Sequence, residues 1–350
     1  MATGFPTSVI DLFCGVGGLT HGFFKEGFTI LAGIDTDSSC KYAFETNNNS
    51  IFINKSIEDI TGEELSKIFQ RAKTKILIGC APCQPYSPYN LKKDKNDKWK
   101  LLADFSRLVI QTRPDVVSME NVPHMQWHHA FLKFKSTLSN EGYILSQYSV
   151  YCPDYGIPQG RRRLLLFASR FGEVKLIPKT HTRENYKTLR ETIYNLKPIR
   201  AGSVDKNDPL HRSRNLTPLN IKRIRSTPEG GNWHSWDDSI RLNCHKKESG
   251  KSFDSVYGRM SWDEPASTIT TEFINFGSGR FGHPDQDRTI SIREAALIQT
   301  FPKYYKLFAN KSDITFQKLG RHIGNAVPVR LARIIARTIK KHLEEYNIVV

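Results

Sequence analysis

The chain has 350 residues, 39% of them hydrophobic and 25% charged, with a formal net charge of +16; that length can bury a large core and suits one large domain plus a smaller one. No apolar run approaches the roughly 18 residues that a membrane span requires, and the N-terminal "MATGFPTSVI" lacks the charged-then-apolar pattern of a signal peptide. Six cysteines (14, 40, 80, 83, 152 and 244) show no disulfide-framework spacing, so a reduced, cytoplasmic protein is expected, with no membrane attachment.

Up to about residue 170, short apolar runs alternate with helical patterns. The expected strands are "SVIDLF" (8–13), "TILAGID" (29–35), "KILIG" (75–79), "DVVSME" (115–120), "YILSQYSV" (143–150) and "RLLLFAS" (163–169). Helical stretches fall near 19–26, 37–46, 62–71, 99–112 and 126–140. Runs that are β-branched and nearly continuous, rather than alternating, suit strands buried on both faces. The pattern therefore predicts an α/β fold with a doubly wound, mostly parallel sheet and helices on each side. From about 172 to 255 the periodicity dissolves, and 17 Lys/Arg stand against 10 Asp/Glu. A second, smaller and irregular unit with a polyanionic partner is expected there, nucleic acid being the commonest; a solvated basic surface is the plain alternative. Past 256 the chain is expected to regain order, ending in "HIGNAVPVRLARIIARTIKKHLEEY" (322–346), whose apolar residues recur at helical spacing. The expected organisation is a first domain over 1–171, a second, smaller domain over 172–275, and a return to the first domain over 276–350; the resemblance named below implies that the first is catalytic and cofactor-binding and the second target-recognising.

In open α/β sheets, ligands bind beyond the carboxyl ends of the strands. The first such loop is "DLFCGVGGLTHGF" (11–23), where Gly15, Gly17 and Gly18 allow close approach of a ligand. Asp35 follows 20 residues after Gly15 at the end of the next strand, where an acid can take both hydroxyls of a ribose. Thr20 replaces the third glycine of the dinucleotide fingerprint. A nucleoside cofactor without a pyrophosphate, such as S-adenosylmethionine, would account for this; an ordinary glycine turn is the alternative.

"GCAPCQPYSPYN" (79–90) places Cys80 and Cys83 three positions apart. A second Cys-x-x-Cys is missing, so no metal site is expected, while a redox pair stays open. Cys80 closes the apolar run and is expected to be buried and inert. Cys83 lies beyond the strand end, between Pro82 and Pro85, and is the better nucleophile. Glu120 in "MENVP" (119–123) ends the next strand and shares that rim. A thiol beside a carboxylic acid suggests attack on an electron-poor ring whose nitrogen is protonated as the thiolate adds. In "PQGRRRLLLF" (158–167) the alternate Arg161 and Arg163 would point to one face, able to hold a phosphate, a ring carbonyl or Glu120.

"DLFCGVGGLTHGF", "GCAPCQPYS", "ENV", "GIPQGRRR", "RMSWDEPASTITT" (259–271) and "IGNAVP" (323–328), in this order, resemble the motif set of the DNA (cytosine-5)-methyltransferases of bacterial restriction–modification type. The stretch near 172–255 is unmatched and lies where that family carries its target-recognition domain. The resemblance implies a methyl transfer from S-adenosylmethionine, leaving S-adenosylhomocysteine, to carbon 5 of a cytosine flipped out of double-stranded DNA. It makes Cys83 the nucleophile toward carbon 6, Glu120 the acid at ring nitrogen 3, and Arg161 and Arg163 the arginines that orient the ring and catalytic groups. For the cofactor it implies Phe13, Gly15, Gly17, Asp35, Ile57, Pro82, Leu101 and Asn325, and for DNA contact Gln84 and Ser87. Where the family often has Asp-Ile, this chain reads "KSIEDI" (55–60), so the contact to the adenine amino group stays open. The implied enzyme acts as a monomer and shares its site with a cognate restriction endonuclease.

Within the basic unit, "NIKRIRSTPEGGNWHSW" (220–236) offers Lys222, Arg223 and Arg225 to phosphates and a flexible Gly230-Gly231 turn to a groove. Trp233 and Trp236 could stack or wedge there, although small-domain core is the commoner fate of tryptophan. Three other functions compete: a transfer-RNA (cytosine-5) methyltransferase on the same scaffold, a flavin or nicotinamide oxidoreductase, and a catalytically dead DNA-binding module.

Overall fold

The computed structural model describes residues 5–82, 100–250 and 252–350. Cys83, Gln84 and Ser87 lie outside the described residues. Nine strands appear among them: β1 (Phe5–Leu12), β2 (Thr29–Asp35), β3 (Ile51–Asn54), β4 (Ala72–Gly79), β5 (Val116–Asn121), β6 (Ile144–Tyr151), β7 (Gln159–Gly160), β8 (Arg162–Ser169) and β9 (Ala266–Ser267). Seven form one sheet in the order β3-β2-β1-β4-β5-β8-β6. Only β8 runs against its neighbours, which is the mostly parallel architecture expected. The strand β3 was not expected: "IFIN" is four residues long, follows an Asn-rich turn and takes the sheet edge, too short for periodicity to register.

The helices explain why the strands are continuously apolar. Ile10, Leu12, Leu77, Val117, Met119, Leu164, Leu166 and Ala168 face one side and share a core with Leu65, Phe105, Leu108 and Phe134. Those four come from α3 (Gly62–Ile68), α4 (Lys100–Thr112) and α5 (His129–Asn140). The alternate residues Val9, Ile76, Ile78, Leu165 and Phe167 face the other side and are buried as well. On that side Ser169 Oγ bonds His342 of α10 (Val329–Glu344) at 2.8 Å. α10 packs on α1 (Gly18–Lys25). The two come so close that a Cβ on Gly22 would lie 2.3 Å from Ala332 Cβ. Glu26, just past α1, receives Arg333 Nε at 2.6 Å and Arg337 Nε at 2.9 Å.

The contacts divide the chain into two compact units, Met1–Tyr151 with Arg162–Lys179 and Val327–Val350, and Cys152–Arg161 with Thr180–Ala326. The stretch 172–255, nearly all of it in the second unit, is as irregular as expected: among the described residues its α-helices are the short α6 (Leu189–Ile193) and α7 (Pro218–Arg225), set among turns. Regular structure returns later than expected, at α8 (Ile292–Ile298) and α9 (Phe316–Asn325). α9 stops before Pro328, which opens α10, so the final helical pattern is two helices and not one.

The second unit holds a buried ion pair. Arg288 and Glu294 are 0% and 1% exposed and meet through two bonds of 2.7 Å, Nη1 to Oε2 and Nη2 to Oε1. Burial raises the Glu294 pKa, but Arg288 more than offsets it and holds the carboxyl at about 2. Burial also pushes His283 down to about 3. Both shifts have the same consequence. Stability contributed by a depressed carboxylate is present above its ordinary pKa and is lost as pH falls through about 2, and a histidine kept neutral costs stability below its ordinary value of 6.5. Stability measured by urea titration should therefore begin to fall as pH drops below about 6.5. Glu294→Gln, which strands the Arg288 charge, should cost about 3–5 kcal/mol at neutral pH, measurable by urea titration.

Candidate active site

The parallel pairing of β4 with β5 puts Gly79 opposite Met119, so Cys80 and Glu120 emerge side by side at the carboxyl end of the sheet. Glu120 is only 2% exposed. Its Oε2 accepts a hydrogen bond from Cys80 Sγ at 2.9 Å, and its Oε1 lies 2.8 Å from Arg163 Nε. That second contact pairs the charges without hydrogen-bond alignment, and Oε1 has no hydrogen-bond partner among the described residues. Next door, Asn121 Nδ2 donates to the Ala81 carbonyl at 2.9 Å and so ties the end of β5 to the chain that leads through half-buried Pro82 to Cys83. Cys80 thus departs from expectation. It is half-buried and bonded to the acid: β4 ends at Gly79, and Cys80, the next residue, has its side chain at the rim.

Arg163 and Arg161 part company at the unit boundary. Arg163 stands beside Glu120, with Nη1 also donating to the Arg162 carbonyl at 2.7 Å. Arg161 is 4% exposed in the second unit, where Nη1 donates to the Ile269 carbonyl at 2.9 Å. Two glutamines that the sequence reading passed over complete this network. Gln159 Nε2 donates to Gln299 Oε1 at 2.9 Å, and Gln299 Nε2 closes the end of α9 through the carbonyls of Ile323 and Ala326 at 2.7 and 3.0 Å. Asn325, exposed, sits between those carbonyls. The signal for Gln299 was present in "REAALIQTFP", but a buried amide that satisfies helix-end carbonyls has no spacing rule to reveal it.

At the glycine loop, Phe13, Gly15 and Gly17 all take positive φ, 62°, 50° and 85°. For Phe13 that conformation is strained and marks a backbone held for a purpose. A Cβ on Gly15 would meet nothing within 4 Å, so the loop leaves open space at that residue. Asp35 Oδ2 accepts from Gly15 N and Oδ1 from Asp37 N, both at 2.9 Å. Burial raises its pKa, and these two amides oppose the rise. Each oxygen keeps a lone pair for a hydroxyl donor, and the loop has room for a ligand beside it, so these residues fit a nucleoside-bearing methyl donor. Thr20, in the place of the missing glycine, bonds Asp11 Oδ2 at 2.5 Å beneath the loop; burial lifts Asp11 to about 8. Ile57 is buried and Leu101 of α4 packs against the same core. Arg107, also unforeseen, fixes the turn that carries Ile57 by donating to the carbonyls of Ile57 and Ile60 at 2.8 Å each.

In the basic unit, Lys222 and Arg225 are exposed on α7, Arg225 paired with Asp287 at 2.9 Å. Arg223 is committed inward: Nε donates to the Ile240 carbonyl at 2.9 Å and the guanidinium covers the rings of Trp236 and Tyr257. Trp233 and Trp236 are each 2% exposed and form core with Ile224, Ile240 and Phe276, the commoner fate of tryptophan. The Gly230-Gly231 turn, expected to be flexible, is held by Arg280 Nη1, which donates to both carbonyls at 2.6 Å. Gly230 has φ 68°, which explains the residue type there.

A seven-stranded, mostly parallel sheet with one reversed strand, a glycine loop facing an acid, and a buried glutamate at the rim define an α/β methyltransferase. The chain belongs to the C-5 cytosine-specific DNA methylases, whose family model matches residues 7–341. It is 52% identical over 340 residues to the Type II methylase M.HgiDII of Herpetosiphon aurantiacus, covering 96% of each chain. To the Type II methyltransferase M1.BsuMI of Bacillus subtilis it is 32% identical, over 94% of this chain and 79% of that one. Among solved structures, Schizosaccharomyces pombe Dnmt2 methyltransferase superposes with a TM-score of 0.65 at 18% identity, covering 97% of this chain and 99% of that one, a likeness of fold. Among the described residues, no helix is long and apolar enough to cross a membrane.

Proposed function

We propose that this C-5 cytosine DNA methyltransferase modifies a specific sequence in duplex DNA through a covalent adduct of Cys83 with carbon 6 of a flipped-out cytosine, as the modification enzyme of a restriction–modification system. The observation that carries the reading is Glu120: a carboxyl 2% exposed at the rim, one oxygen bonded and the other without a hydrogen-bond partner among the described residues. A buried acid with a spare oxygen is costly unless it meets a ligand, and ring nitrogen 3 of cytosine is such a ligand. Bound S-adenosylmethionine would supply an electrophilic methyl group. Phe13, Gly15, Gly17, Asp35, Ile57, Pro82, Leu101 and Asn325 are the residues proposed to hold it.

The chain's own groups act on the ring. Cys83 sulfur forms a bond to carbon 6 while Glu120 gives a proton or hydrogen bond at nitrogen 3, and the electron pair displaced from the ring's double bond makes carbon 5 nucleophilic. After carbon 5 has been methylated, its proton leaves to a base, the sulfur–carbon bond breaks to release the thiolate, and any proton given to nitrogen 3 returns to Glu120, restoring the ring and the acid. Arg163 keeps the Glu120 charge paired, and Arg161 is proposed to orient the ring. Incubation with tritium-labelled S-adenosylmethionine should label duplex DNA and leave transfer RNA unlabelled; the reverse result would make the substrate RNA. Bisulfite sequencing of DNA from cells that express the chain should show one methylated sequence.

Residues 172–275 are the proposed reader of that sequence. Exchanging 172–255 for the segment of a relative with another specificity should move the methylated site while donor affinity stays unchanged. Of the basic residues on α7, Lys222 is the one proposed to meet phosphate, its exposure supporting that reading, so Lys222→Ala should weaken binding to all duplexes alike and flatten the slope of log K against log salt by about 1. A chimera that folds and methylates the original site would place specificity outside this segment.

A further inference from the structure

We propose that Cys80 is a positioning residue for Glu120: its thiol fixes Oε2 and thereby leaves Oε1 as the atom available to the base. The inference rests on the reading of Glu120 as the group that meets ring nitrogen 3. The β4–β5 register sets the two residues side by side, and the Sγ to Oε2 distance of 2.9 Å is that of a close hydrogen bond. A carboxyl group turns about its terminal bond in a broad, two-fold potential, so burial alone does not decide which oxygen faces the substrate. Arg163 does not decide it either, because its Nε lies 2.8 Å from Oε1 without hydrogen-bond alignment. The thiol is the one described donor bonded to the carboxyl, and a sulfur donor assisted by the acceptor's charge suffices to hold an orientation.

Side-chain chemistry separates this role from packing. Cys80→Ser keeps a donor, Cys80→Val keeps approximate volume without one, and Cys80→Ala removes both. The test is the single-turnover rate of the full-length enzyme on duplex DNA carrying the sequence found by bisulfite mapping. DNA and donor affinities are measured alongside. Cys80→Ala and Cys80→Val should slow the methylation step about tenfold, the factor for one hydrogen bond to a charged group, with both affinities unchanged. Cys80→Ser should restore most of the rate. In a Glu120→Ala background, Cys80→Ala should add little further loss, since no carboxyl remains to be held.

Losses that multiply in the double variant, a serine variant as slow as alanine, or a valine variant at the wild-type rate would each overturn the proposal. The two readings fail differently. A wild-type rate in Glu120→Ala alone removes the glutamate from the mechanism, and a slow Glu120→Ala beside a normal Cys80→Ala removes only the positioning role.

Discussion

Cys83→Ser is expected to reduce methyl transfer by roughly a thousandfold or more, because the hydroxyl cannot replace a thiolate in attack on carbon 6. Binding of duplex DNA and of the methyl donor should survive, since serine keeps the size of the side chain. The wild type should also be trapped on a duplex carrying 5-fluorocytosine at its target, where fluorine blocks the final loss of a proton from carbon 5. A band of protein joined to DNA in denaturing gels reads this directly. Cys80→Ala should still be trapped and still turn over, more slowly. If Cys80→Ala and Cys83→Ser lose activity equally and no adduct forms, the two thiols act as a redox pair and the nucleophile assignment falls.

Glu120→Gln should lower turnover by roughly a hundredfold or more, the usual scale for losing a general acid. The amide keeps the shape and can still donate a hydrogen bond to the ring, but it has no proton to give up. It also leaves Arg163, 11% exposed, without its 2.8 Å partner, so thermal unfolding and donor affinity must be measured beside the rate. Equal donor affinity with slow turnover supports the chemistry; wild-type turnover excludes it.

The legible parts of the molecule were those in which one physical requirement acts on several residues at once. Burial on both faces makes a strand continuously apolar, and the five inner strands of the large sheet showed themselves that way; the edge strand β6, with two of its eight residues buried, showed itself only by its β-prone residues. β3 did not, because at the edge only Phe52 of its four residues is buried. The glycine loop and Asp35 were legible because tight backbone approach and ribose binding restrict residue type at fixed offsets. Ordered motifs located Glu120 and Arg163, whose pairing the structure shows. The positions misread were those where a side chain's role depends on long-range partners. Nothing local distinguishes Arg223, spent on Ile240 and two aromatic rings, from Lys222 beside it in the open. Nor could the Gly-Gly dipeptide announce that Arg280, some 50 residues on, would fasten it. Cys80 looked like the last core residue of a strand and became the first residue of a rim.

The packing of α1 on α10 also acts in time. Arg333 follows Glu26 by 307 positions, and a ribosome adding roughly 5–20 residues per second needs about 15–60 s to cover that distance. Throughout that interval the nascent chain displays the apolar side of α1, with Gly22 facing the place Ala332 will take. Contacts of such sequence separation form late and slowly. A nascent chain thus keeps the apolar side of α1 uncovered until the residues of α10 have been made.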